Sequence, residues 1–243
     1  MKKVAIVGFA PTWKDAPFDD MDCEIWTVNS LNQRVPRADR VFELHRMETL
    51  KRLAAEGKVR NDVHIQTHLD WLAANKETPV YMIKQYPEVP ASIPYPLNEM
   101  IDKFGMPRAG REEKDGYFTN SISYMIALAI HEGFERIYIY GVDMAVGSEY
   151  NHQRPSCEYY VGIAKGMGIE IVMPVEADLL KSRHLYGFEE EKEEKFKRKL
   201  AQMIDSLEQR KKAAEDEVRR CEQIAWQYDG AMEATKEIET LWE

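Results

Sequence analysis

Tyrosine, histidine and arginine stand close together in the run Glu149-Tyr150-Asn151-His152-Gln153-Arg154. Histidine is the side chain best suited to moving a proton near neutral pH. Arginine can hold a phosphate or carboxylate through paired hydrogen bonds. The run follows Tyr140-Gly141-Val142-Asp143-Met144, where a strand pattern gives way to a glycine turn. Asp143 falls at the carboxyl end of that strand, where it either faces a ligand or braces its loop. His152 reads as an acid or base beside a ligand edge, or as a solvated loop histidine. Arg154 reads as a phosphate ligand.

Three other polar turns share this position relative to strands and helices. The apolar stretch Lys3–Val7 runs into Gly8, with Pro11 set to open a short helix. Gly8 allows close backbone approach. The full G-x-G-x-x-G is absent, because Ala10 and Trp13 replace the later glycines. Asn29 closes the second apolar stretch and offers both a donor and an acceptor, or caps a turn. Thr119-Asn120-Ser121 precedes an apolar helix pattern, where such residues cap the helix and offer groups to an anion. Glu43 and His45, two apart, share one face of a continuing strand and are possible pocket residues. They form half a metal site with no third ligand in the sequence, so no metal is expected. His64 and His68 lack the H-E-x-x-H arrangement and read as surface-helix residues.

The elements that would carry these turns follow from periodicity. Strand patterns fall at Lys3–Val7, Glu24–Val28, Arg40–Leu44, Pro79–Ile83, Arg136–Tyr140 and Glu170–Met173. Helical patterns lie between them, at Met47–Glu56, Val63–Ala74, Leu97–Phe104, Asn120–Glu132 and Ser156–Met167. The alternation predicts an α/β, Rossmann-like fold with a mostly parallel sheet over residues 1–186. In such sheets ligands sit beyond the carboxyl ends of the strands. The segment 86–96, with four prolines, reads as a surface loop, and 105–116 as a mobile one. Neither glycine nor proline occurs from Phe188 to Asp229, and apolar residues recur every three or four positions. That pattern predicts a long helix or a helical hairpin over 187–243, with a break around Gln209–Lys212. Its narrow apolar stripe is assigned to homo-oligomerisation.

The net charge of −9 argues against a general nucleic-acid binder. Cys23, Cys157 and Cys221 lie far apart and read as free thiols in a reducing compartment. No apolar run is long enough to span a bilayer, and the first residues are better used as a strand than as a signal peptide. A soluble, cytoplasmic protein is expected.

The four turns, in this order, resemble those of bacterial sialyltransferases of the CMP-sialic-acid type and their motility-accessory (DUF115-like) relatives. The run Gly133-Phe134-Glu135-Arg136-Ile137-Tyr138-Ile139-Tyr140-Gly141-Val142-Asp143 is the most specific piece of that likeness. The whole chain is similar to a group of bacteriophage proteins, through Tyr117–Ser123 and Gln153–Tyr159; a phage protein would work in the host cytoplasm. The sialyltransferase resemblance implies that Gly8, Asn29 and Ser121 contact a cytidine-type nucleotide. It implies that His152 deprotonates an acceptor hydroxyl and that Tyr150 supports the leaving phosphate. Phe9 stands where the family has an asparagine. The reading that follows is a metal-independent glycosyltransferase-like protein that needs no cofactor beyond a nucleotide-sugar donor. Its nucleotide-binding set is Gly8, Pro11, Asn29, Thr119, Asn120, Ser121, Gly141 and Asp143; its catalytic set is His152, Tyr150 and Arg154. A non-catalytic phage nucleotide binder and an assembly factor acting through its helical tail are the alternatives.

Overall fold

A computed structural model describes residues 1–144, 149–182, 185, 186, 188 and 190–242. Contacts divide the chain into two compact units, Met1–Lys181 and Ser182–Glu243.

In the first unit the strands are β1 (Lys3–Val7), β2 (Cys23–Val28), β3 (Arg40–Phe42), β4 (Val59–Arg60), β5 (Val63–His64), β6 (Val80–Met82), β7 (Ser92–Pro94), β8 (Arg136–Tyr140) and β9 (Glu170–Val172). The helices are α1 (Met47–Ala55), α2 (Ile65–Ala74), α3 (Leu97–Phe104), α4 (Ser121–His131) and α5 (Arg154–Gly166), with short 3-10 turns at Pro11–Asp15, Asn29–Gln33 and Glu149–His152. Among the described residues, seven strands form one sheet in the order β7-β6-β3-β2-β1-β8-β9, every pairing parallel. The chain steps outward from β1 through β7, then returns to lay β8 and β9 on β1's other side. The strand order therefore reverses between β1 and β8.

Strand β1 is buried on both faces, which is why it reads as an unbroken apolar run. Val4 and Ile6 join one core cluster with Trp26, Phe42 and α4, while Ala5 and Val7 join another with Ile25 and Leu31. Helix α4 has little polar surface because it is itself interior: Met125 through Ile130 are all buried. A third cluster packs α1 and α2 on β3 and β6 through Met47, Leu50, Ile65 and Leu72.

The structure departs from the sequence expectations in two places within this unit. Residues 92–94, inside the proline-rich segment, pair with β6 as an edge strand, a position where proline is tolerated because one side of the strand stays unpaired. Residues 59–64 form a hairpin whose turn residues, Asn61 and Asp62, have φ of +50° and +62°. Such left-handed pairs are the favoured two-residue hairpin turn. The 105–116 segment is cross-tied by a bridge between Met106 and Asp115, and Arg108 and Arg111 both pair with Asp115.

The second unit is dominated by α6 (Glu190–Trp242), 53 residues and about 80 Å long. It runs without a break through Gln209–Lys212, so the extension is a long helix and not a hairpin. Gly187 lies outside the described residues. Among the described residues no helix is long and apolar enough to cross a membrane.

Candidate functional site

A cavity of about 640 Å³ lies at the carboxyl ends of β1, β2 and β8. That is within the roughly 300–1,000 Å³ usual for small-molecule sites. Because strand order reverses between β1 and β8, the loops leaving these strands diverge, and a crevice opens there. Gly8, Phe9 and Ala10 line it from β1, Val28 and Asn29 from β2, and Gly141 through Met144 from β8. Thr119 through Ile122 line it at the start of α4, His45 lies beyond β3, and Arg60 and Asn61 come from the hairpin.

The two glycines are required by each other. A Cβ on Gly8 would sit 2.3 Å from the Gly141 carbonyl oxygen, and one on Gly141 would sit 2.2 Å from that of Gly8. Gly141 also has φ of +66°, which favours glycine. The close approach allowed by Gly8 is thus made to the β8 turn. The Gly8 N–H donates to the Tyr140 carbonyl (2.8 Å), the Ala10 N–H to that of Gly141 (3.0 Å), and the Gly141 N–H to the Thr12 hydroxyl (2.9 Å). Pro11 opens the 3-10 turn after Gly8 and does not line the cavity.

Asn29 adopts φ of +51°, and its Oδ1 is buried with no hydrogen-bond partner. Asp143 likewise has a buried Oδ1 with none. Desolvation, with the nearby charges of Asp178 and Glu176, raises the Asp143 carboxyl above its ordinary range. Both side chains line the cavity, and neither oxygen is committed to a donor among the described residues, so turning either one outward offers a ligand a free acceptor.

Asn120 is the N-cap of α4: its Oδ1 accepts from the Ser123 N–H at 3.0 Å. Its amide donates to the Gln153 carbonyl (2.8 Å) and the Ser156 hydroxyl (3.1 Å), while Thr119 Oγ1 lies 2.6 Å from Ser156 Oγ. Those two residues clasp α4 to α5. Ser121 and Ile122 remain in the first turn, whose N–H groups have no acceptor within the helix and form a natural anion site. Nearby Cys157 is not a nucleophile candidate, since burial pushes its thiol up to about 12.

Glu43 is a correction to the sequence reading, because it lies beneath the wall and not on it. Its carboxylate is buried and accepts from His45 Nδ1 (2.6 Å), the His45 N–H (3.1 Å) and His68 Nε2 (2.8 Å). Desolvation alone would raise this group, yet the hydrogen bonds from His45 and His68 outweigh it and hold the carboxyl well below the usual range. His68 is a second correction: the sequence placed it on a helix surface, but it is buried and takes Gln33 Nε2 at 3.3 Å. Among the described residues no three His, Cys, Asp or Glu side chains form a metal-binding group.

Of the catalytic set proposed from sequence, His152 and Arg154 are not placed on the cavity lining. His152 is exposed and absent from the lining. Arg154 is paired with Glu158 (2.7 Å) and donates to the Met144 carbonyl (3.2 Å), so its guanidinium braces the loop after β8. The side chain of Tyr150 and residues 145–148 lie outside the described residues. The sequence reading missed Arg60, Asn61, Gln153 and His68. For the first two a signal existed: Asn61-Asp62 between Val59 and Val63 is a hairpin pattern.

No family model matches the chain, and no curated protein does. Among solved structures it is similar to the sialyltransferase CstII from Campylobacter jejuni in complex with the substrate analogue CMP-3FNeuAc. That likeness has 15% identity and a TM-score of 0.45, and covers 74% of this chain and 86% of that one. A CstII complex with cytidine-5'-monophosphate gives 16%, 0.43, 81% and 99%. The sialyltransferase Cst-II with a trisaccharide acceptor and CMP gives 15%, 0.44, 76% and 89%. No residue role is carried across on values this low.

Proposed function

We propose that the Met1–Lys181 unit binds a nucleotide or nucleotide sugar in this cavity. On this reading the chain is a glycosyltransferase-like protein that passes a sugar from a CMP-type donor to a hydroxyl acceptor without a metal. The observation that carries the binding is the gathering of Asn29, Asp143, Arg60 and the start of α4 around one cavity. Asn29 and Asp143 each keep an acceptor uncommitted among the described residues, which ribose hydroxyls, sugar hydroxyls or a base amine can engage. The start of α4 and Arg60 call instead for an anion. Hydroxyl-rich and anionic groups on one small molecule describe a nucleotide or a sugar phosphate. The preference for cytidine comes from the sequence resemblance.

Calorimetry of the whole chain with CMP, UMP, AMP and their sugar conjugates tests the binding. A saturable one-to-one isotherm with at least one of them is expected, and none up to millimolar concentration with any would end the reading. A second reading, a nucleotide binder without catalysis, is favoured by the commitment of Arg154 to Glu158 and the position of His152 outside the lining. Release of free nucleotide from a bound sugar conjugate separates the two. We further propose that α6 joins copies of the chain, because Leu200, Met203, Ile204 and Leu207 are all exposed along it.

A further inference from the structure

The Glu43–His45 arrangement has no part in binding as argued above, yet it is the most constrained polar cluster at the cavity. Directly after β3 the chain places a carboxylate that is 1% exposed. An ionised carboxylate loses several kcal/mol on leaving water unless donors surround it. Here three donors do, and two of them come from His45 itself, through its backbone N–H and its Nδ1. The third comes from His68 on α2, itself held by Gln33 on the far side of its ring. The other nitrogen of His45, Nε2, lies 3.1 Å from Arg60 Nη1, and both residues line the cavity. A guanidinium only donates, so Nε2 is the acceptor and the ring proton sits on Nδ1, toward Glu43. The imidazole is held in one tautomer, with its basic nitrogen meeting a cavity residue.

We propose that His45 is the proton acceptor of this site, with Glu43 and His68 as positioning residues that fix its tautomer and ring direction. The proposal rests on the nucleotide-sugar reading. In the transfer, the O–H bond of the acceptor hydroxyl breaks and its proton goes to His45 Nε2. The oxygen forms a new bond to the anomeric carbon, the bond from that carbon to the phosphate oxygen breaks, and the electron pair stays on the nucleotide phosphate. With water as acceptor the same balance gives donor hydrolysis. Arg60 must leave Nε2 first. An incoming phosphate is a better partner for a guanidinium than a neutral imidazole, so ligand entry itself frees the base. The charged groups that set the behaviour of His45 are Glu43 beyond β3, Arg60 on β4, His68 on α2 acting through Glu43, and Asp143 in the same cavity.

The test uses the whole chain and measures CMP affinity by calorimetry and CMP release from CMP-activated sialic acid across pH. In His45→Gln, CMP affinity should stay within about threefold while release falls about 100-fold or more and loses its rise with pH. Glu43→Gln should lower release with CMP affinity kept. Turnover and pH profile unchanged in His45→Gln overturn the proposal, as does a loss confined to His152→Ala. A wild-type chain that binds CMP but never releases it from the donor overturns the base assignment and leaves the binding reading standing. A wild-type chain that binds no nucleotide overturns both. Should Glu43→Gln fail to fold, imidazole nitrogen shifts of the wild type read the tautomer directly. Protonation of His45 at Nδ1 supports the proposal, and protonation at Nε2 overturns it.

Discussion

Gly141 has its backbone against that of Gly8 and φ of +66°, so any side chain there meets both a clash and a strained conformation. Gly141→Ala is expected to cost about 3 kcal/mol or more, read as a lowered denaturation midpoint, because neither strand end can shift without breaking sheet hydrogen bonds. Glu43 makes a different prediction. Its folded pKa is depressed, so its contribution to stability is present above its unfolded value and lost as pH falls through the folded one. Between about pH 5 and pH 2 the wild type should therefore lose more stability than Glu43→Gln, measured by urea unfolding at each pH. Equal losses would mean that the carboxylate gains nothing from its two histidines. At this scale the sequence was partly readable. Gly8, Asn29, Gly141, Asp143 and His45 stand out at the ends of strands and Ser121 at the start of a helix, and the structure brings them to one cavity. The role of His68 was hidden, although it occupies an apolar helical stripe between Ile65 and Leu72, all three of them buried. A histidine at such a position must find a buried partner, and its partner, Glu43, is 25 residues away.

Among the elements, the long parallel strands and α4 were legible because continuous apolar runs leave a buried strand or helix few alternatives. The short elements were not. Strand β7 has three residues, two of them exposed, and its register comes from pairing with β6 and not from its own pattern. The choice between helix and hairpin for the C-terminal unit also lay beyond periodicity, since a charged interruption is compatible with both. The exposed face of α6 belongs to this scale. If Leu200 and Leu207 pack against another copy, Leu200→Glu combined with Leu207→Glu should shift the whole chain toward monomer in sedimentation velocity. An unchanged sedimentation coefficient would assign that face to something other than self-association.

Across the first unit, sheet topology explains where a site can be and side-chain chemistry explains what could fill it. Reversal of strand order between β1 and β8 opens the crevice, and the helix that precedes β8 delivers its N-terminus there. Asn29 and Asp143, whose Oδ1 atoms have no partner among the described residues, are the acceptors the cavity wall can offer to a ligand. Asn29→Ala should weaken nucleotide binding by about tenfold, the cost of one lost hydrogen bond of ordinary strength, and should also lower stability by about 1 kcal/mol, since φ of +51° suits asparagine better than alanine. A crystal of the whole chain soaked with CMP is the most direct test of the account. Density for the nucleotide in the cavity, with hydroxyl or amine donors on Asn29 Oδ1 and Asp143 Oδ1 and its phosphate at Ser121 or Arg60, is the predicted result. A nucleotide bound elsewhere, or those two oxygens still without partners in a crystal saturated with CMP, would contradict it.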